Sequence, residues 1–212
     1  MIEITNLTKK FGEQIALDDI NLHFKKGEKS LIIGQNGAGK STLMKSILGE
    51  YLPNTGSVKI NGINPLKDRK KALKNIAFVP QTPPPIKLTL SEMVEFVTKS
   101  CEISPTKIDE FSKFLEFNLK ANLNKPFFKL SGGMKQKFLI AIAYARDCSI
   151  LMFDEPTANL DPKAREIFKE LLANSQGKTA VFISHRVSEM GGLINRVIEM
   201  DLAKVVKDEK VV

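Results

Sequence analysis

Apolar residues follow three rhythms along this chain, and each rhythm marks a kind of element. Near the start they alternate with polar residues, as at Ile2 and Ile4 and again at Ile20, Leu22 and Phe24. Alternation predicts half-buried strands, here on either side of a turn region containing Phe11-Gly12. Val58 and Ile60 form another short strand between Thr55-Gly56 and Asn61-Gly62, both turn signals. Continuous apolar runs come next: Ser30-Leu31-Ile32-Ile33, Ile76-Ala77-Phe78-Val79, Ile150-Leu151-Met152-Phe153 and Ala180-Val181-Phe182-Ile183. Runs this short read as buried strands, and the run at 150–153 has the pattern of a parallel one. Val197-Ile198 and Val205-Val206 suggest a final short hairpin.

The third rhythm is helical. Leu43, Met44, Ile47 and Leu48 share one face of a helix that Gly49 stops. Thr89-Leu90-Ser91-Glu92 is a capping box that opens a helix to about Lys99. Ile108, Phe111, Phe114 and Leu115 place another over about 107–117, and Phe138, Ile142 and Ala145 line a long one. Pro162 to Ala173 is a further helix with proline in its first turn. Thr82-Pro83-Pro84-Pro85 fits neither helix nor central strand, and no strand pattern appears between about 82 and 146. The organisation is therefore an α/β domain that carries a helical insertion.

The candidate chemistry sits at the ends of these elements. Between the strand at 30–33 and the helix that follows lies Gly34-Gln35-Asn36-Gly37-Ala38-Gly39-Lys40-Ser41, which fits the phosphate-loop pattern G-x-x-x-x-G-K-[ST] at every fixed position. Its glycines allow backbone N–H groups to close on phosphate oxygens, and the helix dipole adds positive potential there. Lys40 is expected to reach the β- and γ-phosphates, Ser41 to bind Mg²⁺, and Thr42 to join the first turn around a nucleoside triphosphate. Asp154-Glu155 ends the strand at 150–153, offering one carboxylate for Mg²⁺ and a second to polarise an attacking water. Leu130-Ser131-Gly132-Gly133 opens another helix and forms a second anion site. One nucleotide has one γ-phosphate, so two such sites in one chain point to a head-to-tail dimer. Read singly, Phe11 could belong to the core, Gln81 to a polar turn and His185 to a strand end.

Composition narrows the setting. The chain has 212 residues, 42% of them hydrophobic, which is ordinary for a globular protein. No apolar run approaches the roughly 20 residues of a membrane span, and the start lacks a signal-peptide pattern, so a cytosolic protein is expected. Cys101 and Cys148 have no metal-ligand spacing and are expected to be reduced. The net charge is +8, with its densest basic run at Lys67-Asp68-Arg69-Lys70-Lys71 and Lys74. That run reads as a solvated helix face. No nucleic-acid motif accompanies it, and no nucleic-acid partner is expected.

With these motifs in this order, the chain resembles the nucleotide-binding subunits of ATP-binding-cassette (ABC) transporters over nearly its whole length. Phe11 matches the aromatic that stacks on adenine, Gly34 to Ser41 the Walker A loop, and Gln81 the Q-loop glutamine, a further Mg²⁺ ligand. Leu130 to Gly133 match the signature and Ile150 to Asp154 Walker B, with Glu155 as the catalytic carboxylate. Asn159-Leu160-Asp161 match the D-loop, and His185 the switch histidine at the γ-phosphate. The resemblance implies a phosphate-loop NTPase of the ABC type. It would have a RecA-like core and N-terminal antiparallel β subdomain in 1–81 and 147–212, and a helical signature subdomain in 82–146. It implies an ATPase at the cytoplasmic face of the membrane that pairs with a second copy or a homologous subunit and drives a separate transmembrane permease. Met134 stands where the signature usually has Gln, and the Gly-Gly-Met-Lys-Gln form resembles subunits of ABC-2 exporters. Rival readings are a soluble ABC ATPase acting on nucleic acid or ribosomes, an ATP sensor without turnover, and a small-molecule kinase.

Overall fold

The computed structural model describes residues 1–184 and 190–211. It forms two compact units, one of Met1–Ile76, Ser149–Glu155 and Gln176–Val212, the other of Ala77–Cys148 and Pro156–Ser175.

The first unit opens with β1 (Ile2–Phe11), β2 (Gln14–Phe24), β3 (Lys29–Ile33), α1 (Lys40–Ile47), β4 (Thr55–Ile60) and α2 (Arg69–Leu73). The chain leaves it in β5 (Ile76–Val79) and returns to it through β6 (Ile150–Asp154), β7 (Thr179–Ile183), β8 (Arg196–Asp201) and β9 (Lys204–Lys210). β1, β2 and β4 make an antiparallel sheet in the order β2-β1-β4. Ile2, Ile4, Ile20, Leu22 and Phe24 are buried in it, as the alternation predicts. Thr55-Gly56 is not the expected turn but the start of β4. Gly56 has φ 79° and lies where β1 is irregular, and a Cβ on it would come within 2.2 Å of the Asn6 carbonyl oxygen. The glycine serves a close strand contact rather than a reversal.

The second sheet of this unit runs β6-β7-β3-β8-β9, parallel except for the β8-β9 hairpin. Every residue of β6 and β7 is buried, as in a strand covered on both faces. Phe153 stacks on Phe182 at 5.3 Å between ring centroids. Arg196 fastens the far side of the sheet. Its guanidinium donates to Asp208 at 2.7 and 2.6 Å, to Glu28 at 2.7 Å and to the His23 carbonyl at 2.7 Å. The basic run at 67–74 forms α2, capped by Asp68, with Ala72 its one buried residue, so it is a solvated face as expected.

The second unit contains α3 (Leu90–Cys101), α4 (Pro105–Phe114), α5 (Gly132–Ala145) and α6 (Pro162–Ala173). No strand occurs among the described residues from 82 to 146. The capping box forms as read: the Thr89 N–H donates to Glu92 at 2.7 Å, and the Glu92 N–H to the Thr89 hydroxyl at 3.3 Å. α4 starts earlier than the expected 107, because Ser104 caps it and Pro105 takes its first position. Leu90, Ile108, Phe117, Phe127 and Phe138 form this unit's core.

Candidate functional site

The phosphate loop joins β3 to α1, and its glycines are there for different reasons. Gly34 has φ 147° and a Cβ on it would lie 2.1 Å from the Met200 carbonyl oxygen. Gly39 has φ 100° and a Cβ would lie 2.3 Å from the Ala16 carbonyl oxygen. Backbone fills both spaces, so no side chain fits. Gly37 has open space around it and is required only by its φ of 86°. Gln35, Asn36 and Gly37 are exposed, while Ala38 is buried and anchors the loop. The first turn of α1 holds Lys40, Ser41 and Thr42, whose N–H groups precede the helix ladder and suit an anion.

Lys40 is 7% exposed, and its ammonium donates to the carbonyls of Gly34 at 2.7 Å and Gln35 at 2.9 Å. Burial lowers its pKa. The charges of Glu155 and Asp154 act the other way. The charges of both carboxylates thus act on the lysine of the loop. Asp154 ends β6 opposite Ile183 of β7, and both carboxylate residues are buried, at 5% and 7% exposure. Glu155 has φ 50°, in the left-handed region, and its N–H donates to the Ile183 carbonyl at 3.0 Å. A non-glycine residue held there stores backbone strain, and such residues concentrate at functional positions. Sequence reasoning did not anticipate this backbone conformation.

Phe11 ends β1 and is 43% exposed, so it is not a core residue. Tyr51 meets its ring at 5.1 Å in a T-shaped pair, and the Lys9 ammonium lies 4.8 Å from the ring centroid. Neither neighbour was singled out in the sequence.

In the second unit, Ser131 caps α5 by accepting from the Met134 N–H at 3.2 Å. Gly133 is needed because a Cβ would stand 2.9 Å from the Asn159 carbonyl oxygen. Asp161 caps α6 by accepting from Ala164 at 2.9 Å and pairs with Lys137 of α5 at 2.9 Å. The hydrogen bond from Lys137, then that from Ala164, holds its carboxyl below the usual range. The signature turn and the Asn159–Asp161 loop are therefore fastened together within this unit. Lys137 was missed because the pairing is tertiary. Gln81 follows β5 and is exposed. His185 lies outside the described residues.

Comparison with known proteins decides the family. The model of the ABC transporter family matches residues 17–158. The chain belongs to that family. It is 32% identical over 212 residues to the energy-coupling factor transporter ATP-binding protein EcfA2 of Clostridium perfringens, spanning 94% of this chain and 74% of that one. The Nod factor export ATP-binding protein I of Rhizobium etli is 30% identical over 94% of this chain and 65% of its own length. The methionine import ATP-binding protein MetN of Lactobacillus johnsonii is 31% identical over 97% of this chain and 63% of its own. Importer and exporter relatives are thus about equally similar, and the Gly-Gly-Met-Lys-Gln form does not single out the ABC-2 type. Among solved structures, the dimeric cassette MJ0796 bound to ADP and Pi superposes with a TM-score of 0.86 at 30% identity, covering 99% of this chain and 98% of that one. The ABC protein described here has the cassette ATPase fold: an N-terminal antiparallel sheet and a mostly parallel core sheet. Its activity is ATP hydrolysis coupled to transport.

Proposed function

We propose that this ABC protein is the ATPase subunit of a transporter whose membrane part is a separate chain, and that it works at the cytoplasmic face as a head-to-tail pair with a copy of itself or a homologue. The buried Lys40, held in the phosphate loop within reach of Asp154 and Glu155, carries the reading. Among the described residues no helix is long and apolar enough to cross a membrane. The ADP- and Pi-bound dimer of MJ0796 supports the pairing.

In this reading ATP binds on the Gly34–Thr42 loop with its base on Phe11. Mg²⁺ fits the donors offered: the Ser41 hydroxyl and the Asp154 carboxylate are hard oxygen ligands, with Gln81 the third expected one. No group of three or more His, Cys, Asp or Glu residues among the described residues could cage a metal ion. Phosphate oxygens and water would complete the shell, the usual arrangement for Mg²⁺. The ion supplies charge neutralisation at the phosphates. Glu155 accepts the proton of the attacking water, and His185 contacts the γ-phosphate. Ser131, Gly132 and Gly133 present the start of α5 to the partner's nucleotide, with Asp161 holding the adjoining loop in place.

Complementation tests the shared site. Ser131→Arg should bind ATP but fail to close on a partner, and Lys40→Ala should lack phosphate binding. Mixed, the two form heterodimers in which one site carries both lesions and the other neither, so mixing should restore hydrolysis that neither variant shows alone. Full activity of Ser131→Arg alone, unchanged on dilution, would refute the two-chain mechanism.

A further inference from the structure

The ring of Phe11 is flanked by one cation, Lys9, and by Tyr51. The Lys9 ammonium lies 4.8 Å from its centroid and 5.9 Å from that of Tyr51, and the Lys45 ammonium lies 5.7 Å from that of Tyr51. The two rings meet edge to face. Each separation falls within the range in which an ammonium is attracted to an aromatic face. Lys9 is not free to wander, because it also donates to the Leu52 carbonyl at 2.8 Å. The segment after α1 is tied to β1 at two further points. The Asn54 N–H donates to the Thr8 carbonyl at 2.8 Å, and the Lys10 N–H to the Asn54 side chain at 2.7 Å. Tyr51 and Lys45 therefore come from the phosphate-loop helix and its exit, and Lys9 and Phe11 from β1. The cluster fixes the aromatic ring relative to the phosphate loop.

We propose that Lys9 is a positioning residue for the purine: seated on one face of Phe11, it orients the ring and leaves the opposite face for the base. This rests on the reading of Phe11 as the adenine platform. Two effects follow. A cation on one face draws π density toward itself, so an electron-rich purine meets less repulsion on the other. The fixed ring also loses less conformational freedom when the base arrives. Lys9 would act through Phe11 and not on the phosphates.

The test uses the full chain and two probes, Mg·ATP and inorganic tripolyphosphate with Mg²⁺, with affinities measured by calorimetry. Phe11→Ala should weaken Mg·ATP about fivefold, the scale of an aromatic stacking contact. Lys9→Gln should weaken it about threefold, the scale of a surface cation–π contact. The double variant should be no weaker than Phe11→Ala alone. Lys9→Arg should bind like the wild type, and tripolyphosphate affinity should change in none of them. Lys9→Met provides the same test if the Gln variant does not fold. The proposal is overturned if Lys9→Gln has no effect, if its effect persists in the Phe11→Ala background, or if it weakens tripolyphosphate equally. Unchanged Mg·ATP affinity in Phe11→Ala is a separate outcome that removes the platform itself.

Discussion

Glu155 gives a test in which activity and stability should move in opposite directions. Its backbone has φ 50°, a conformation that costs an ordinary residue about 1–2 kcal/mol. Asn tolerates that region better and adds no backbone freedom to the unfolded chain, so Glu155→Asn should recover roughly 1 kcal/mol. Gly removes the strain entirely but returns about 0.5–1 kcal/mol through the entropy of the unfolded state, leaving a smaller gain. Glu155→Gln keeps shape and strain, and Glu155→Val makes the strain worse. For a chain of this size, 1 kcal/mol corresponds to about 2–4 °C in melting temperature. The nucleotide-free Asn variant should therefore melt about 2–4 °C above the Gln variant, and Val below both. Because each substitution removes the proposed proton acceptor, hydrolysis should fall about a hundredfold or more in all of them while ATP binding persists. Calorimetric melting and steady-state phosphate release provide the two readouts. If Asn and Gly melt below Gln, the backbone is not strained there. Near-normal turnover in Gln would remove Glu155 from catalysis.

Three further outcomes are expected. Burial lowers the Lys40 pKa, so its ammonium is lost on raising the pH before the ordinary lysine value of 10.5; Mg·ATP affinity should fall in that alkaline window. The contribution of Lys40 to nucleotide-free stability should rise there instead, because a lowered folded-state value disfavours the charged form, and Lys40→Arg should flatten both trends. Removing Arg196 leaves Glu28, whose side chain is 11% exposed, without its charge partner. Arg196→Ala should cost about 3–5 kcal/mol, and a melting temperature lowered by less than 2 °C would contradict this. If the segment from Gln81 to about Val97 receives the membrane subunit, its exposed Leu88 and Phe96 are the contacts to break. Leu88→Asp with Phe96→Asp should abolish co-purification with that subunit and leave ATP affinity unchanged, and wild-type recovery would place the contact elsewhere.

Much of this was legible in the sequence because the signals were local. Alternation places β1 and β2, and apolar runs place β3, β6 and β7 to within a residue or so. The phosphate loop announces itself because it needs glycine where backbone crowds in at Gly34 and Gly39. Where reading failed, tertiary structure had overridden a local cue. Gly56 resembles a turn residue, yet its positive φ serves a close approach to Asn6. The β8-β9 hairpin is legible from Val197-Ile198 and Val205-Val206, although its turn, made by Leu202 and Ala203 with φ of 44° and 68°, carries none of the Asn-Gly chemistry by which such turns are recognised. The Glu155 conformation, the Lys137–Asp161 pair and the Tyr51–Phe11–Lys9 cluster all depend on residues that meet only after folding.

In the proposed mechanism each unit holds one preorganised part of the chemistry. In the first, strand pairing through β7 sets the distance from phosphate loop to carboxylates, since β7 pairs with β3 on one side and β6 on the other. Neither end can shift without breaking a parallel register in which every residue of β6 and β7 is buried. In the second, the Gly133 contact and the Lys137–Asp161 pair make the signature turn and the Asn159–Asp161 loop one piece. Catalysis by electrostatic preorganisation needs such rigidity, because donors that reorient during the reaction give back the energy they supply. In a head-to-tail pair the signature turn would then be presented to the partner's nucleotide with its loop already in place. Met134, where the family usually has Gln, is compatible with this: it is partly buried against the helical core, and the cap is made by its backbone N–H to Ser131, which any side chain allows.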